Sequence, residues 1–443
     1  MKAFNELRGE WLEEEKKRRS NTDGKRAKRR YLHFDNRLNL SDIKKSNVWM
    51  PNVIIGHSFF PFIRYTIKTR RLRKTQGSKK QIIEKKRDID YAAHGDALIY
   101  SWYAFLLTEY YENFIKTEGV DSYITAYRKN LGENNVNFAK RVFDFISEKE
   151  NCSVLCLDVE HFFPSLDHQL LKKNWMLILG VDSLPKDHYV IFRIITRFSY
   201  VLMDLIIEKM GRRNQKDLSR LCTPIEFRNK ISPLIIVNRA KKGIPQGSPI
   251  SAVLSNIYML QFDIAVSNQI EAVGGLYQRY CDDIIIVVPT KYIAKIESFT
   301  LSEIAKIQLT INPSKMEKRE FKRIKGKLRC FDSGSDNLLT LKYLGLEFDG
   351  ERSYIRHSGI GKYEKRMNRS IKKAAELNSA KKRSAFPKKK IYEKFSHSNK
   401  SNFISYSIRA GEILRSAQIK KQFSKYRIIK KIKKSRNKAS STK

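Results

Sequence analysis

Residues 276–288 read LYQRYCDDIIIVV, with the tetrapeptide Tyr280-Cys281-Asp282-Asp283 at the centre. Strand-like runs flank it on both sides, so the pattern predicts a β-hairpin with two adjacent carboxylates at its turn. Carboxylates this close raise each other's pKa unless a cation shares the site. The pattern therefore indicates a bound metal ion, although so short a string is weak evidence by itself.

The composition indicates a polyanionic partner. The chain has 443 residues, of which 41% are hydrophobic, and its 88 Lys and Arg against 46 Asp and Glu give a net charge of +42. Residues 361–443 carry more than half of it, +23, from 27 Lys and Arg and four acidic residues. Such self-repulsion is rarely kept without a counter-charge, so we expect nucleic acid as the partner, rather than a merely charged surface or a membrane surface.

The sequence contains no apolar run of the roughly 20 residues that a membrane-spanning helix needs. Residues 190–210 are the nearest candidate, but Arg193, Arg197 and Asp204 interrupt them, and the pattern predicts one amphipathic helix. The N-terminus lacks the apolar core of a signal peptide, so we expect a cytoplasmic protein. The five cysteines include no CxxC pair, which favours reduced thiols over a disulfide framework or a zinc site.

A second acidic element lies in residues 155–165, LCLDVEHFFPS, where an apolar strand delivers Asp158 at its end. A lone Asp there is usually a turn former or a helix cap. Two adjacent strands, however, would bring Asp158 together with Asp282 and Asp283. Such a cluster suits two Mg²⁺ ions about 3.5–4 Å apart, the arrangement used in phosphoryl transfer. We expect Asp158 and Asp282 to bridge the ions, Asp283 to complete the site, the Val159 carbonyl to add a ligand, and Mn²⁺ to be a possible substitute.

A third element, KKGIPQGSPIS at residues 241–251, brackets Gln246 between Gly243 and Gly247. Glycines allow the backbone of such a loop to approach a ligand closely. Ser248 is a predicted helix N-cap, with Pro249 at the first helical position. A well-capped helix alone would explain the cap but not the place of Gln246 between the glycines.

In this order, the strings LDVEHFFPSLDH, GIPQGSPISAVLSNIYM and YCDD resemble the A, B and C motifs of reverse transcriptases. LTINPSKMEKREF and LKYLGLEF resemble motifs D and E, so the resemblance covers roughly residues 68–350. It implies an α+β right-hand polymerase fold, with fingers, a palm with an antiparallel sheet, and a helical thumb. The reaction it implies is template-directed addition of deoxynucleotides to a 3′ end.

The resemblance also implies domain boundaries and residue roles. We expect an N-terminal extension at 1–60, fingers at 61–150, a palm with a fingers insertion at 151–350, and a basic helical thumb and tail at 351–443. The three aspartates would bind the catalytic Mg²⁺. The other implied roles are a steric gate against the ribose 2′-hydroxyl at Phe163, contact with the incoming nucleotide and its template partner at Gln246, protonation of the leaving pyrophosphate at Lys315, triphosphate binding at Arg87, and nucleic-acid binding at Lys388, Lys389, Lys390 and Arg409. Most aromatic residues of the basic segment should form thumb core, and a minority should stack on bases.

Three further segments, YAAHGDALIYSWYAFLLTEYYE, AYRKNLGENNVNFAKRVFDFI and LPKDHYVIFRIITRFSYV, resemble bacterial reverse transcriptases of the defence-associated "unknown group" class. Members of that class protect against phage, and several copy a non-coding RNA encoded beside them, some into concatenated cDNA. The resemblance implies a structured non-coding RNA template, a cDNA product and deoxynucleoside triphosphates as partners. The basic terminal segment suffices only for a helical thumb, so we expect no RNase H or endonuclease domain.

Three alternatives stay open at this point. An RNA-dependent RNA polymerase would use similar carboxylates, although the Pro-Gln-Gly loop and Phe163 favour deoxynucleotides. A template-independent DNA polymerase primed from one of its own tyrosines, acting in abortive infection, is the second. A non-catalytic RNA-binding defence module is the third, and the complete set of site residues counts against it.

Overall fold

The computed structural model describes residues 3–20, 31–38, 40–73, 81–211, 218–380, 388–399 and 401–441. A helix comes first among the described residues, and a long antiparallel hairpin follows. Residues 64–86 are dense in Lys and Arg, a pattern that predicts a basic β-hairpin with a turn at Gly77-Ser78, and that turn lies outside the described residues. The elements of this part are α1 Phe4–Ser20, α2 Leu40–Lys45, α3 Pro51–Ile55, β1 Phe62–Arg73, β2 Gln81–Tyr91, α4 His94–Thr117 and α5 Asn135–Ser147.

The next part of the chain adds strands to the hairpin. Its elements are β3 Asn151–Asp158, α6 Phe162–Ser165, α7 His168–Leu179, α8 Lys186–Thr196, β4 Ser199–Leu202, α9 Met203–Met210, α10 Pro224–Glu226 and β5 Ile236–Val237. The single helix predicted over residues 190–210 is wrong, because β4 interrupts it. Strand β4 pairs in parallel with β1, Phe62 opposite Tyr200, and this long-range pairing overrides the helical periodicity. Among the described residues, no helix is long and apolar enough to cross a membrane.

A five-stranded sheet forms the centre of the molecule. Its strand order is β6-β7-β3-β8-β9, and every neighbouring pair is antiparallel. The helices α11 and α12 precede its first edge strand, and α13 connects β7 to β8. The elements are α11 Ser251–Tyr258, α12 Leu260–Glu271, β6 Leu276–Tyr280, β7 Asp283–Val288, α13 Ile293–Lys306, β8 Glu317–Ile324 and β9 Lys327–Asp332.

The chain ends in a small sheet followed by helices. These elements are β10 Leu341–Tyr343, β11 Leu346–Phe348, β12 Ser353–Ile355, α14 His357–Ala380, α15 Lys388–Phe395, α16 Phe403–Ile413, α17 Ala417–Gln422 and α18 Lys425–Ser441. Tyr363, Phe395 and Phe423 are buried between the helices, whereas Tyr426 is 76% exposed. Base stacking by a minority of these aromatic residues stays a prediction, and Tyr426 is exposed enough for it.

Strand β7 is buried on both faces of the central sheet, which explains its uninterrupted apolar run. Ile284, Ile286 and Val288 belong to one hydrophobic cluster, with α4, α11 and α12. Ile285 and Val287 belong to a second, with α5 and the terminal helices. Residues that alternate along a strand face opposite sides, so β7 is held between two cores. The carboxylate at the start of β7 thus projects from a rigid support.

Candidate active site

Two carboxylates from distant parts of the sequence lie opposite each other on neighbouring strands. Asp158 ends β3 and Asp283 begins β7, and the two residues are direct partners in the antiparallel register. Residues directly opposite in such a pair have Cβ atoms about 4.5–5.5 Å apart. The structure thereby brings together two of the three predicted aspartates.

Asp282 reaches the same place through the hairpin turn. Strands β6 and β7 pair up to Tyr280 opposite Asp283, which leaves Cys281 and Asp282 as the turn, and the predicted hairpin is confirmed. Cys281 has a φ of +60°, the left-handed region that favours glycine. The Val159 amide donates a hydrogen bond of 3.2 Å to the Asp282 carbonyl, so the predicted ligand Val159 lies beside the turn.

The charges at this point of the sheet are unbalanced. Burial, and then the charges of Asp282 and Asp158, raise the pKa of Asp283 to about 6, although the residue keeps part of its surface open to solvent. The Lys315 ammonium pairs with Asp158. Within the described residues, no group of three or more His, Cys, Asp or Glu side chains is arranged to hold a metal ion as it stands. The chemistry of the donor set still fits a divalent cation, because Asp158 and Asp282 are near enough to Asp283 to raise its pKa, and carboxylate oxygens are the ligands that such ions take.

A short 3₁₀ turn, Pro313–Lys315, carries Lys315 to the carboxylates. Asn312 caps this turn with its side chain and donates its backbone amide to the carbonyl of Asp158 at 3.0 Å. The turn is thus fastened to the end of β3. The structure places Lys315 next to Asp158, and its role in catalysis stays a prediction.

Phe163 and the Gln246 loop are neighbours across a pair of backbone contacts. The amide of Ile244 donates to the Phe163 carbonyl at 3.1 Å, and that of Gly243 donates to the Leu166 carbonyl at 2.8 Å. Phe163 is half-buried on α6, next to Phe162 with their ring centroids 5.5 Å apart. The loop therefore lies directly against the segment that follows Asp158 in the sequence.

The Gln246 loop is also attached to the N-terminal hairpin. The carbonyl of Gln246 accepts a hydrogen bond of 2.8 Å from the amide of Asp90 on β2. Gly247 has a φ of +117°, and a Cβ there would lie 2.9 Å from the Asp90 carbonyl oxygen, so only glycine fits. The predicted N-cap at Ser248 is wrong: α11 begins at Ser251, and the Ser248 carbonyl accepts from the Ser251 amide.

The remaining predicted site residues lie farther out. Arg87 is exposed on β2, three residues before Asp90, and is linked to the Gln246 loop only along that strand in the contacts of the described residues. Lys388 begins α15, where Lys389 and Lys390 are exposed, and Arg409 is exposed on α16. These helices belong to the basic terminal part of the chain.

Sequence reasoning missed the polar contacts around the turn. Arg279 and Asp263 form an ion pair whose side chains are both 0% exposed, and Tyr127 donates its hydroxyl to the Cys281 sulfur at 3.2 Å. One signal was present: Arg279 is a charged residue in a strand that leads into an apolar core. A cation at such a position needs a buried partner.

The chain matches several solved structures and one family model. Solved structures that match the chain include apo telomerase from Candida tropicalis truncated from its C-terminal domain, at 12% identity and a TM-score of 0.40, covering 64% of this chain and 55% of that one. Telomerase from Candida albicans in complex with a fragment of telomeric RNA has 11% identity and a TM-score of 0.38, covering 89% and 64%. The chain thus spans less than two thirds of each telomerase. No curated protein sequence matches the chain.

A family model described as reverse transcriptase (RNA-dependent DNA polymerase) matches residues 122–348, about half of the chain. The matched segment contains β3, the Gln246 loop, the Asp282-Asp283 turn and Lys315. Together with the antiparallel central sheet packed on helices, this match confirms the predicted α+β right-hand polymerase fold. The chain belongs to the reverse transcriptase family of RNA-dependent DNA polymerases.

Proposed function

We propose that the protein is an RNA-directed DNA polymerase that extends a primer 3′ end at Asp158, Asp282 and Asp283. The observation that carries the proposal is the register that sets Asp158 opposite Asp283, with Asp282 in the adjoining turn. Three carboxylates at the ends of neighbouring strands and in the adjoining turn supply the donor chemistry of a two-ion phosphoryl-transfer site. Asp158, Asp282, Asp283 and the Val159 carbonyl would hold two Mg²⁺, or Mn²⁺, ions, which when bound activate the attacking oxygen and stabilise the leaving one.

The other residues act on the nucleotide. Phe163, half-buried in the segment after Asp158, excludes a ribose 2′-hydroxyl by the volume of its ring. Gln246 lies in a loop held between β2 and α6, where it contacts the incoming nucleotide and its template partner. The Lys315 ammonium pairs with Asp158 and is poised to give a proton to the leaving pyrophosphate. Arg87 suits bidentate contact with the triphosphate when the exposed hairpin approaches it.

The proposed template is a structured non-coding RNA, copied into cDNA in bacterial anti-phage defence. Support comes from the sequence resemblance and from the +23 terminal segment, which offers exposed cations at Lys389, Lys390 and Arg409. Lysine and arginine side chains neutralise phosphates without reading sequence, so specificity for one RNA would need further contacts to its bases or its shape. Lys388, at the start of α15, belongs to the same cationic run.

The test is primer extension by wild type and by an Asp282→Ala/Asp283→Ala variant, with Asp182→Ala as a carboxylate control at an exposed position away from the sheet. We expect the wild type and the control to extend a DNA primer on an RNA template with deoxynucleotides, and the double variant to lose extension. Equal extension by wild type and double variant would refute the polymerase proposal.

Sequencing the nucleic acids that copurify with each protein tests the finer proposal. We expect one enriched RNA with both proteins, and complementary cDNA only with the wild type. If cDNA differs but no RNA is enriched, the dedicated template is excluded. Synthesis without a template, or DNA covalently bound to a tyrosine, would favour the template-independent alternative.

A further inference from the structure

A fully buried ion pair lies beneath the catalytic turn, at Arg279 on β6 and Asp263 on α12. The Arg279 guanidinium binds the Asp263 carboxylate through two hydrogen bonds, Nε to Oδ1 at 2.7 Å and Nη2 to Oδ2 at 2.6 Å. Both side chains are 0% exposed. Removing two charges from water costs more than most such pairs return, so a buried ion pair is weak evidence for a role in stability. Its position next to Asp282 suggests another role.

The third guanidinium nitrogen of Arg279 reaches the turn itself. Nη1 donates to the Cys281 carbonyl at 3.1 Å and to the Asn256 side chain at 3.2 Å. Cys281 is the turn residue with a φ of +60°, a left-handed conformation that a residue with a Cβ adopts only at an energetic cost. The hydrogen bond from Arg279 stabilises the peptide group that joins Cys281 to Asp282. The direction of the Asp282 side chain therefore depends on a contact from beneath.

Other buried groups fix the position of Arg279. The Tyr277 hydroxyl donates to Asp263 Oδ1 at 2.6 Å. Thr125 donates both its amide and its hydroxyl to the Arg279 carbonyl, at 3.0 and 2.9 Å. The Asn256 side chain donates to the carbonyl of Ala126 at 3.0 Å, next to the tyrosine that contacts the Cys281 sulfur. Tyr277, Thr125 and Asn256 are themselves buried, so this hydrogen-bond network holds Arg279 in one position beneath the turn.

We infer that Arg279, clamped by Asp263 and Asn256, is a positioning residue that sets the Cys281-Asp282 peptide so that the turn carboxylates face Asp158 before any cation binds. This inference rests on the proposed function of those carboxylates. Residues behind the ligands commonly contribute about 10–100-fold to metal affinity or activity. Arg279 itself touches neither the substrate nor the metal ions.

The test compares two variants that keep the interior matched. Arg279→Met/Asp263→Leu replaces the ion pair with apolar side chains of similar volume, a change that often leaves stability unaltered. Arg279→Lys keeps the charge beside Asp263 but lacks the fork that reaches Cys281. Arg319→Lys is the control, because Arg319 forms ion pairs on β8, three strands across the same sheet.

The readouts are Mn²⁺ affinity, measured by electron paramagnetic resonance of the free ion, the kcat and KM of primer extension, and the melting temperature. We expect both Arg279 variants to fold, to bind Mn²⁺ about 10–100-fold more weakly and to lose kcat by a similar factor, with the KM for the deoxynucleotide changed less. The control should match the wild type.

Two results would overturn the inference: folded Arg279 variants with wild-type Mn²⁺ affinity and kcat, or failure of both variants to fold, which would make the pair structural. The Asp282→Ala/Asp283→Ala variant distinguishes failure of the proposed active site from failure of the Arg279 role. If that variant binds Mn²⁺ and extends primers like the wild type, the proposed site itself fails. If the double variant loses Mn²⁺ binding and primer extension while the Arg279 variants are unaffected, only the positioning role of Arg279 is refuted.

Discussion

The backbone amide of Asp90 donates a hydrogen bond of 2.8 Å to the carbonyl of Gln246, which joins the N-terminal hairpin to the loop before α11. Asp90 is itself fixed, because Arg64 binds its carboxylate through two hydrogen bonds of 2.7 and 3.0 Å. The Arg64 guanidinium also lies 3.6 Å from the ring centroid of Tyr200 on β4. Strands from two parts of the sequence thus determine where Gln246 lies.

The first prediction concerns Gly247, whose replacement would disturb the contact between the Gln246 loop and β2. In Gly247→Ala, the new Cβ would lie 2.9 Å from the Asp90 carbonyl oxygen and 3.0 Å from a methyl group of Ile89, at a φ of +117°. We expect the loop to move away from β2 and the KM for deoxynucleotides to rise about 10-fold, since misplacement of a binding group by about 1 Å has large effects. Steady-state extension kinetics measure this rise.

Gly132→Ala is the matched control, because Gly132 has a φ of +62° but nothing within 4 Å of an added Cβ. It carries the conformational cost of alanine at positive φ without the clash. The prediction is wrong if the two variants raise the KM equally, or if neither does.

The local sequence was enough to predict the strands that carry Asp158 and Asp283 and the hairpin between β6 and β7. The apolar run before Asp158 and the run after Asp283 each form the strand expected, since each has a strongly apolar pattern and a clear end. The order of the three motifs then led to the right-hand fold. The register aligns Asp158 with Asp283 because β3 ends at Asp158, β7 begins at Asp283 and the two strands pair antiparallel.

Features set by distant parts of the chain could not be predicted in the same way. Residues 199–202 leave the helix because β1, more than a hundred residues earlier, offers them a pairing edge. Ser248 does not cap α11, because the backbone around Gly247 is occupied by its contact with Asp90. Arg279 reads as a strand residue, and only the fold shows that Asp263 lies within its reach. In each case a tertiary contact outweighs a local preference.

The second prediction concerns selection against ribonucleotides at Phe163. In Phe163→Ala, the loss of a half-buried ring beside the Gln246 loop should open space for a 2′-hydroxyl. We expect the preference for deoxynucleotides over ribonucleotides, as a ratio of kcat/KM values, to fall about 10–100-fold, the range of one steric contact in a pocket. Phe163→Tyr keeps the ring and should keep the preference. Unchanged selectivity in the alanine variant would remove Phe163 as the gate.

The third prediction concerns Lys315, which pairs with Asp158 through its ammonium group. Lys315→Met removes a proton donor to the leaving pyrophosphate, and we expect kcat to fall about 100-fold. It also removes a cation that competes for Asp158, so Mn²⁺ should bind more tightly, not less. A variant that merely disturbed the site would weaken both. Lys315→Arg keeps a cation there but cannot give up a proton, so it should lose kcat without binding Mn²⁺ more tightly, and a wild-type kcat in the methionine variant would exclude the assigned role.

The fourth prediction concerns acid sensitivity at His33, which is 0% exposed and accepts a hydrogen bond of 2.8 Å from the Phe34 amide. Burial, with a smaller effect of His94, lowers the pKa of His33 to about 3 from 6.5. A histidine held neutral in the folded protein stabilises it less as the pH falls below 6.5, because the unfolded chain takes up the proton first. This loss amounts to about 2 kcal/mol between pH 7 and pH 5.

Urea unfolding at both pH values checks this prediction, with His33→Asn as the comparison because asparagine keeps an acceptor for the Phe34 amide. The free energy of unfolding should fall by about 2 kcal/mol more in the wild type than in the variant. Equal losses in the two proteins would show that His33 contributes nothing to the acid sensitivity.

The fifth prediction concerns the basic terminal helices, where Lys389 and Lys390 are exposed on α15. Each lysine that neutralises a phosphate releases a counterion, which makes binding depend on salt. In Lys389→Gln/Lys390→Gln, the plot of log affinity against log salt concentration should become shallower by about 1.4–1.8 for the pair. Fluorescence anisotropy with a labelled RNA–DNA duplex measures the slope.

A charge-matched control decides between phosphate contacts and the general field of a chain with a net charge of +42. Lys291→Gln/Lys295→Gln removes the same two charges from exposed positions before and within α13. A general field would lower affinity in both double variants alike, because long-range attraction depends on total charge. Direct contacts would change the slope only in the α15 variant, and that difference between the two pairs is the expected result. Equal slopes in all three proteins would exclude α15 from the binding surface.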